Sequence, residues 1–155
     1  MKLNSSESID FYSYIEDFLS SEYVQEMKQY IQHGNTTTYR HCMTVSYYSY
    51  WLSLRLPFQF NVSSVARGAM LHDFYLYDWH NPDPSHRLHG FYHARTSLVN
   101  ARKHFQLNPE EEDIIEKHMW PLTITKLPKC RESVLVCLVD KICSLVEILG
   151  INTSK

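Results

Sequence analysis

Glycine and proline are scarce: four and six in 155 residues, too few for collagen-like, linker-like or low-complexity sequence. Long apolar runs are missing as well. None approaches the roughly 18 residues of a membrane-spanning helix. The first residues, Met1 to Glu7, turn polar and acidic at once, unlike the apolar stretch of a secretory signal. No run of Lys or Arg exceeds two, and 15 basic residues against 17 acidic ones leave a net charge of −2. Neither nucleic acid nor a membrane is therefore an expected partner. The four cysteines, Cys42, Cys130, Cys137 and Cys143, form no C-x-x-C pair, which argues against a zinc ribbon or a thioredoxin motif. Each sits in or beside an apolar stretch and reads as a reduced core thiol of a cytoplasmic protein.

The length suits a single domain with one core, and an apolar fraction of 44% is ordinary for one. The unusual count is histidine, at nine. Six of these (His72, His80, His86, His89, His93 and His104) fall between residues 72 and 104. Neutral imidazole is the commonest metal ligand, so this uneven enrichment points toward a metal site.

The periodicity reads as helical throughout, with no internal repeat. Apolar residues from Ile9 to Ile31 recur at spacings of three and four, predicting one helix over residues 7–32 or two broken near Ser20-Ser21. Gly34 suits a left-handed C-cap. The Thr36-Thr37-Thr38 run caps a helix over 37–56 that Pro57 closes. Asn61 or Ser63 caps another over 62–73. Residues 74–88 read as a loop. Further helices are expected over 89–105, from Asn108-Pro109-Glu110-Glu111 to a stop before Pro121, and over 130–149, ending at Gly150. Period-2 alternation is not sustained anywhere, so no significant sheet is expected. The fold class is thus an all-α compact bundle of about six helices. Residues 1–34 form a helical segment packing on a core domain of residues 35–150.

The final helix, Val134 through Val146, is apolar nearly all round and is expected in the centre of the domain. Asp140 sits within it. A buried carboxylate needs a partner, either a cation such as Lys141 or an arginine, or a metal. Four other segments place ligand-type residues where helices can present them inward: His41, His72-Asp73, His89 with His93 one turn on, and His118. Imidazole nitrogens with carboxylate oxygens suit Mn, Fe, Co, Ni or Zn and are poor for Ca. Each histidine also has an ordinary reading: His41 and His93 as satisfied core residues, His118 stacked on Trp120, His33 and His104 on the surface, and His80 and His86 in a polar loop.

The order of these residues resembles the HD superfamily of metal-dependent phosphohydrolases. The resemblance covers residues 35–150 and rests on Tyr39-Arg40-His41, Leu71-His72-Asp73, His93 within His-Ala-x-x-Ser-Leu, His118, and Val139-Asp140-Lys141. It is closest to a small single-domain bacterial branch. It implies a first metal site of His41, His72, Asp73 and Asp140. Asp73 would bridge to a second metal held by His93 and His118, while single-metal branches keep only the first four. His89 competes for the position of His93. The implied activity is hydrolysis of a phosphate ester, a nucleotide or small organophosphate, by metal-activated water. One or two divalent transition-metal ions serve as cofactor. Asp73, Lys141 and Arg40 are the candidate catalytic residues, the latter two to hold charge developing on phosphate. His89, His86 and Trp79 are candidate substrate contacts, since the aromatic segment 74–80 reads as a lid, a stacking wall or packing over the bundle mouth. Two other functions fit the same residues: a di-iron oxygenase of the same superfamily, and a non-catalytic metal- or ligand-binding module.

Overall fold

The computed structural model describes residues 2–81 and 88–150. Among the described residues seven α-helices are packed together: α1 (Ser5–Leu19), α2 (Glu22–Glu26), α3 (Thr38–Ser53), α4 (Val62–Leu71), α5 (His89–His104), α6 (Pro109–Lys117) and α7 (Arg131–Ile148). Their starts follow local side-chain chemistry. Asn4 and Asn108 each close a capping box, with Glu7 and Glu111 respectively, and Thr37 and Asn61 accept from backbone N–H groups of the first turns of α3 and α4. Each satisfies amides that a helix leaves bare at its start.

The predicted helix over residues 7–32 breaks at Ser20-Ser21 and does not continue to its expected end. After α2 and a single 3₁₀ turn, Ile31–His33 (β1) pairs antiparallel with Thr36–Thr37 (β2). Gly34 takes the positive φ expected of it, 55°, but at the hairpin reversal rather than at a helix cap. The β-branched Ile31, Thr36 and Thr37 suit strands. The short hairpin also buries Gln32, which bonds Asp73 and Tyr75 beyond the end of α4, so tertiary contact overrides the helical spacing.

The short helix α4 is the centre of the molecule, and its two faces join two apolar clusters. On one side Phe11, Phe18, Tyr50, Met70, Leu98 and Ile115 close around it, which brings α1 into the same core as α3 and α5. On the other, Val65 and Ala69 meet Ile114, Leu135, Val136 and Val139 of α6 and α7. Small residues make this possible. A methyl group built on Gly68 would stand 2.7 Å from Cδ1 and 2.9 Å from Cβ of the buried Ile114. Gly68→Ala should therefore destabilise by roughly 1–3 kcal/mol through overpacking, against the ~1 kcal/mol that alanine gains over glycine inside a helix. Urea unfolding measures this, and a variant more stable than wild type would refute the close α4–α6 contact.

The expected central position of α7 needs correction. Its inner face is buried, from Leu135 through Cys143, but Val134, Leu138, Ile142, Leu145, Ile148 and Leu149 are all exposed. The apolar sequence on every side reflects two different faces, not complete burial.

Candidate metal centre

The residues facing the centre come from helix ends. His72 follows the last residue of α4 and His118 the last of α6. At such ends the carbonyls lack intrahelical donors, and each imidazole supplies one: His72 Nδ1 lies 2.7 Å from the Ala69 carbonyl and His118 Nδ1 2.9 Å from that of Ile115. His93, in the first turns of α5, makes the same bond to the His89 carbonyl at 2.8 Å. His41 on α3 differs, because its Nδ1 lies 2.9 Å from the Glu147 carboxylate of α7. A carbonyl or carboxylate oxygen only accepts, so all four Nδ1 atoms carry hydrogen. In the neutral ring Nε2 then presents a bare lone pair.

All four Nε2 atoms converge on two carboxylates. His41 Nε2 lies 3.1 Å from Asp140 Oδ1 and 3.3 Å from His72 Nε2. His72 Nε2 lies 3.4 Å from Asp73 Oδ2 and 3.5 Å from Asp140 Oδ1. Asp73 Oδ2 is 3.9 Å from His41 Nε2. The other oxygen of Asp73 faces a second pair: His93 Nε2 at 3.1 Å and His118 Nε2 at 3.3 Å, with 2.9 Å between the two nitrogens. All six residues are buried.

These separations fit shared coordination. Donors about 2.1 Å from one ion stand about 3.0 Å apart at right angles and about 3.4 Å apart in a tetrahedron. The orphaned atoms point the same way. Asp73 Oδ1 is buried and makes no hydrogen bond among the described residues, despite its two imidazole neighbours. Lone pairs on His93 and His118 that face each other at 2.9 Å repel unless a proton or cation joins them. Two buried groups, His41 with His72 and Asp140, and His72 with Asp73 and His118, can each hold an ion. Either donor set suits a borderline divalent metal.

Burial and mutual charge set the protonation of these groups. Burial pushes the His41 imidazole down, but the Asp140 and Glu147 carboxylates outweigh it and raise it from 6.5 to about 10. His72 is likewise buried, yet the Asp73 charge lifts it well above 6.5. Burial would raise Asp73 and Asp140, but their imidazolium neighbours hold both well below 3.8. Asp73 also raises His93 against its burial, whereas burial prevails at His118 and lowers it. Raised imidazoles stabilise the fold fully below 6.5 and lose that contribution as pH climbs through their folded values. Depressed carboxylates contribute above 3.8 and lose it as pH falls. The chelator-treated protein should therefore be most stable between about pH 4 and 6.5 and melt at falling temperatures toward pH 10. Metal uptake at pH 7 should release protons, because imidazolium cannot ligate. Thermal melts with chelator, and calorimetry in buffers of different ionisation enthalpy, check both. A flat profile with no proton release would contradict the charge arrangement.

Above the carboxylates lies a cavity of about 700 Å³, with Gln32, His33, Trp79, His89, Leu122 and Lys141 in its walls. The Lys141 ammonium donates to the His118 carbonyl at 2.6 Å and stands 3.8 Å from Asp140 Oδ2. His89 does not take the place of His93: its ring stacks on that of His93 at 4.5 Å and on Trp79 at 5.1 Å, with Nδ1 2.8 Å from the Tyr77 hydroxyl. Trp79 lines the cavity, and its ring also lies 3.9 Å from that of His80. Arg40, one position from His41, is not among the described residues lining the cavity. His86 lies outside the described residues.

Several residues in and around the centre escaped the sequence reading. Glu147 lies two turns beyond Asp140 on the same face of α7, a spacing that marks it in retrospect. Gln32 Nε2 donates to Asp73 Oδ2 at 2.5 Å, and the Tyr75 hydroxyl donates to Gln32 Oε1. Tyr75 is turned back by Leu76, whose φ of 58° is uncommon outside glycine. Asn100 pins the turn through the Phe74 and Tyr75 carbonyls, both at 3.0 Å. His33, expected on the surface, is half-buried in the cavity wall with its ring edge-on to His41 at 5.7 Å. Compared with protein-family models, curated proteins and solved structures, the chain matches none.

Proposed function

We propose that this protein is a metal-dependent hydrolase of small phosphate esters. The observation that carries the reading is Asp73, whose two oxygens each face a separate pair of imidazole nitrogens deep in a cavity. The resemblance of the ordered His and Asp residues to the HD superfamily supports it. His41, His72, Asp140 and Asp73 would hold one ion, and His93, His118 and the other oxygen of Asp73 a second. When bound, such ions supply Lewis acidity and bring water toward neutral ionisation, and a pair also clamps phosphoryl oxygens.

The chain's own residues supply the rest. Gln32 and Tyr75 hold the Asp73 carboxylate in one orientation, and Glu147 holds the His41 ring. Lys141, at the cavity wall, places a positive charge beside the position of a phosphoryl group, where it stabilises charge that grows in the transition state. Met119, Pro121 and Leu122 give the cavity an apolar surface, which excludes water and strengthens that interaction. Lys141 is the single Lys or Arg among the described lining residues. Lys141 and the apolar wall suit a phosphate ester with an apolar body.

The test is metal analysis of protein purified without chelator, followed by turnover of p-nitrophenyl phosphate and a panel of phosphomonoesters with Mn, Fe, Co, Ni or Zn. Metal-dependent phosphate release supports the reading. Metal binding with no release from any ester, together with iron-dependent oxygen consumption, would replace it with the oxygenase. Failure to bind any of these metals would remove both.

A further inference from the structure

The Asp73 carboxylate can serve two cations in two ways. It bridges when one oxygen faces each pair of imidazoles, and it chelates when both oxygens turn to the same ion. Rotation about its last side-chain bond interconverts the two, and that torsion has no sharp preference of its own. A chain of donors ends on one oxygen only. Gln32 Nε2 donates to Asp73 Oδ2 at 2.5 Å, and the Tyr75 hydroxyl donates to Gln32 Oε1. Since the single Tyr75 hydroxyl hydrogen is committed there, the Thr38 hydroxyl, 3.1 Å away, donates to Tyr75. Thr38, Tyr75 and Gln32 are all buried, and each donates toward the carboxylate, an arrangement in which every bond strengthens the next. Asp73 Oδ1 receives no hydrogen bond among the described residues.

We propose that Tyr75 and Gln32 are positioning residues that keep Asp73 bridging between two cation positions and prevent it from chelating one. The inference rests on the two-ion reading given above. The bond to Oδ2 pins that oxygen on the side of His41 and His72, which leaves the bare Oδ1 to His93 and His118. The second side depends on this. His41 and His72 keep Asp140 whichever way Asp73 turns. His93 and His118 pair with no carboxylate other than Asp73 among the described residues. The Gln32 amide cannot be reversed, because its oxygen would then face a carboxylate oxygen. The chain is also held against strain. Tyr75 precedes Leu76, whose φ of 58° is a sparsely populated conformation that persists where the surroundings enforce it. Asn100 enforces it here by donating to the Phe74 and Tyr75 carbonyls. Thr38, Gln32 and Tyr75 come from the start of α3, the hairpin and the turn after α4, so no local structure requires them to meet. Gln32 lies before the residues 35–150 that carry the family resemblance, and the resemblance assigns it no part.

Metal content of the full chain, loaded with Mn or Co and then desalted, tests it. Wild type should hold about two ions per chain. Gln32→Met keeps the length of the side chain and removes both hydrogen bonds. It should weaken binding of the second ion about 10- to 100-fold and retain about one ion. Tyr75→Phe keeps the ring and leaves Gln32 Oε1 without its donor, so its loss should fall between wild type and Gln32→Met. A role in folding alone would predict lower melting temperatures with two ions still bound. In the metal-free protein, proton–nitrogen NMR should show the Gln32 N–H that bonds Asp73 far downfield and slow to exchange. Tyr75→Phe should move that signal toward free glutamine. Two ions in Gln32→Met, as in wild type, would overturn the inference alone. So would a Gln32 amide signal that Tyr75→Phe leaves unchanged. Fewer than two ions in wild type would overturn the two-ion reading and the inference together.

Discussion

Asp73→Ala is expected to fold and to purify without bound metal, where wild type retains it. Among the described residues no other carboxylate faces both pairs of imidazoles. Its Oδ2 stands 3.4 Å from His72 Nε2 and its Oδ1 3.1 Å from His93 Nε2, so truncation takes a donor from each half of the centre at once. The four histidines and Asp140 would remain, with one carboxylate facing their Nε2 atoms where two had stood. The fold should survive because Asp73 contributes no apolar packing, and because the imidazoles that its charge holds protonated can release that proton. His118→Ala makes the contrast. It removes a donor from the Oδ1 side alone, so it should keep about one ion per chain and lose most of the turnover that depends on two. Element analysis and circular dichroism of the two variants decide the matter. Asp73→Ala with wild-type metal content would show that the carboxylate is a structural ion-pair partner of His72, and His118→Ala with two ions would remove the second site.

The helical architecture was legible in the sequence because it is written in local signals. Asn61, Asn108-Pro109 and Gly150 stand at element ends in the structure as their chemistry predicts. The six residues singled out for metal, on five segments, converge within one centre, because each sits on the buried face or at the buried end of its helix. What escaped was non-local. Gln32 lies in a stretch whose spacing is helical, and its reach across to Asp73, 41 positions away, is a contact that spacing does not carry. The burial of α7 was misjudged for a related reason: apolar residues around a whole helix do not say which of its faces the fold covers. His33 is a third case, since a histidine beside a glycine turn looks like surface until the hairpin folds it against His41.

Glu147→Ala is expected to weaken binding of the ion at His41 by about 10- to 100-fold, the usual cost of losing a group that orients a ligating histidine. Three of the four imidazoles are oriented by backbone carbonyls of their own helices, which substitution cannot remove. His41 alone depends on a side chain, and that side chain comes from the last turns of α7, 106 positions away. The carboxylate does two things for it. It fixes the Nδ1–H tautomer, leaving Nε2 free for a cation, and its charge makes that nitrogen more basic. The conservative variant separates the two. Glu147→Gln keeps an accepting oxygen and loses the charge, so its loss should fall between wild type and Glu147→Ala. A merely structural role, tying α7 to α3, would predict something different: lowered melting temperature in both variants with unchanged affinity in whatever stays folded. Competition with a chelator gives the affinity. Visible spectra of the cobalt-loaded proteins report the ligand field, and a long-range proton–nitrogen NMR correlation reports the His41 tautomer even without metal. Loss of affinity in the order wild type, Gln, Ala, with an altered cobalt spectrum and a mixed His41 tautomer in Ala, is the expected outcome. Wild-type affinity and spectrum in Glu147→Ala would mean that His41 is held by its own packing and that the carboxylate serves only to neutralise a buried imidazolium.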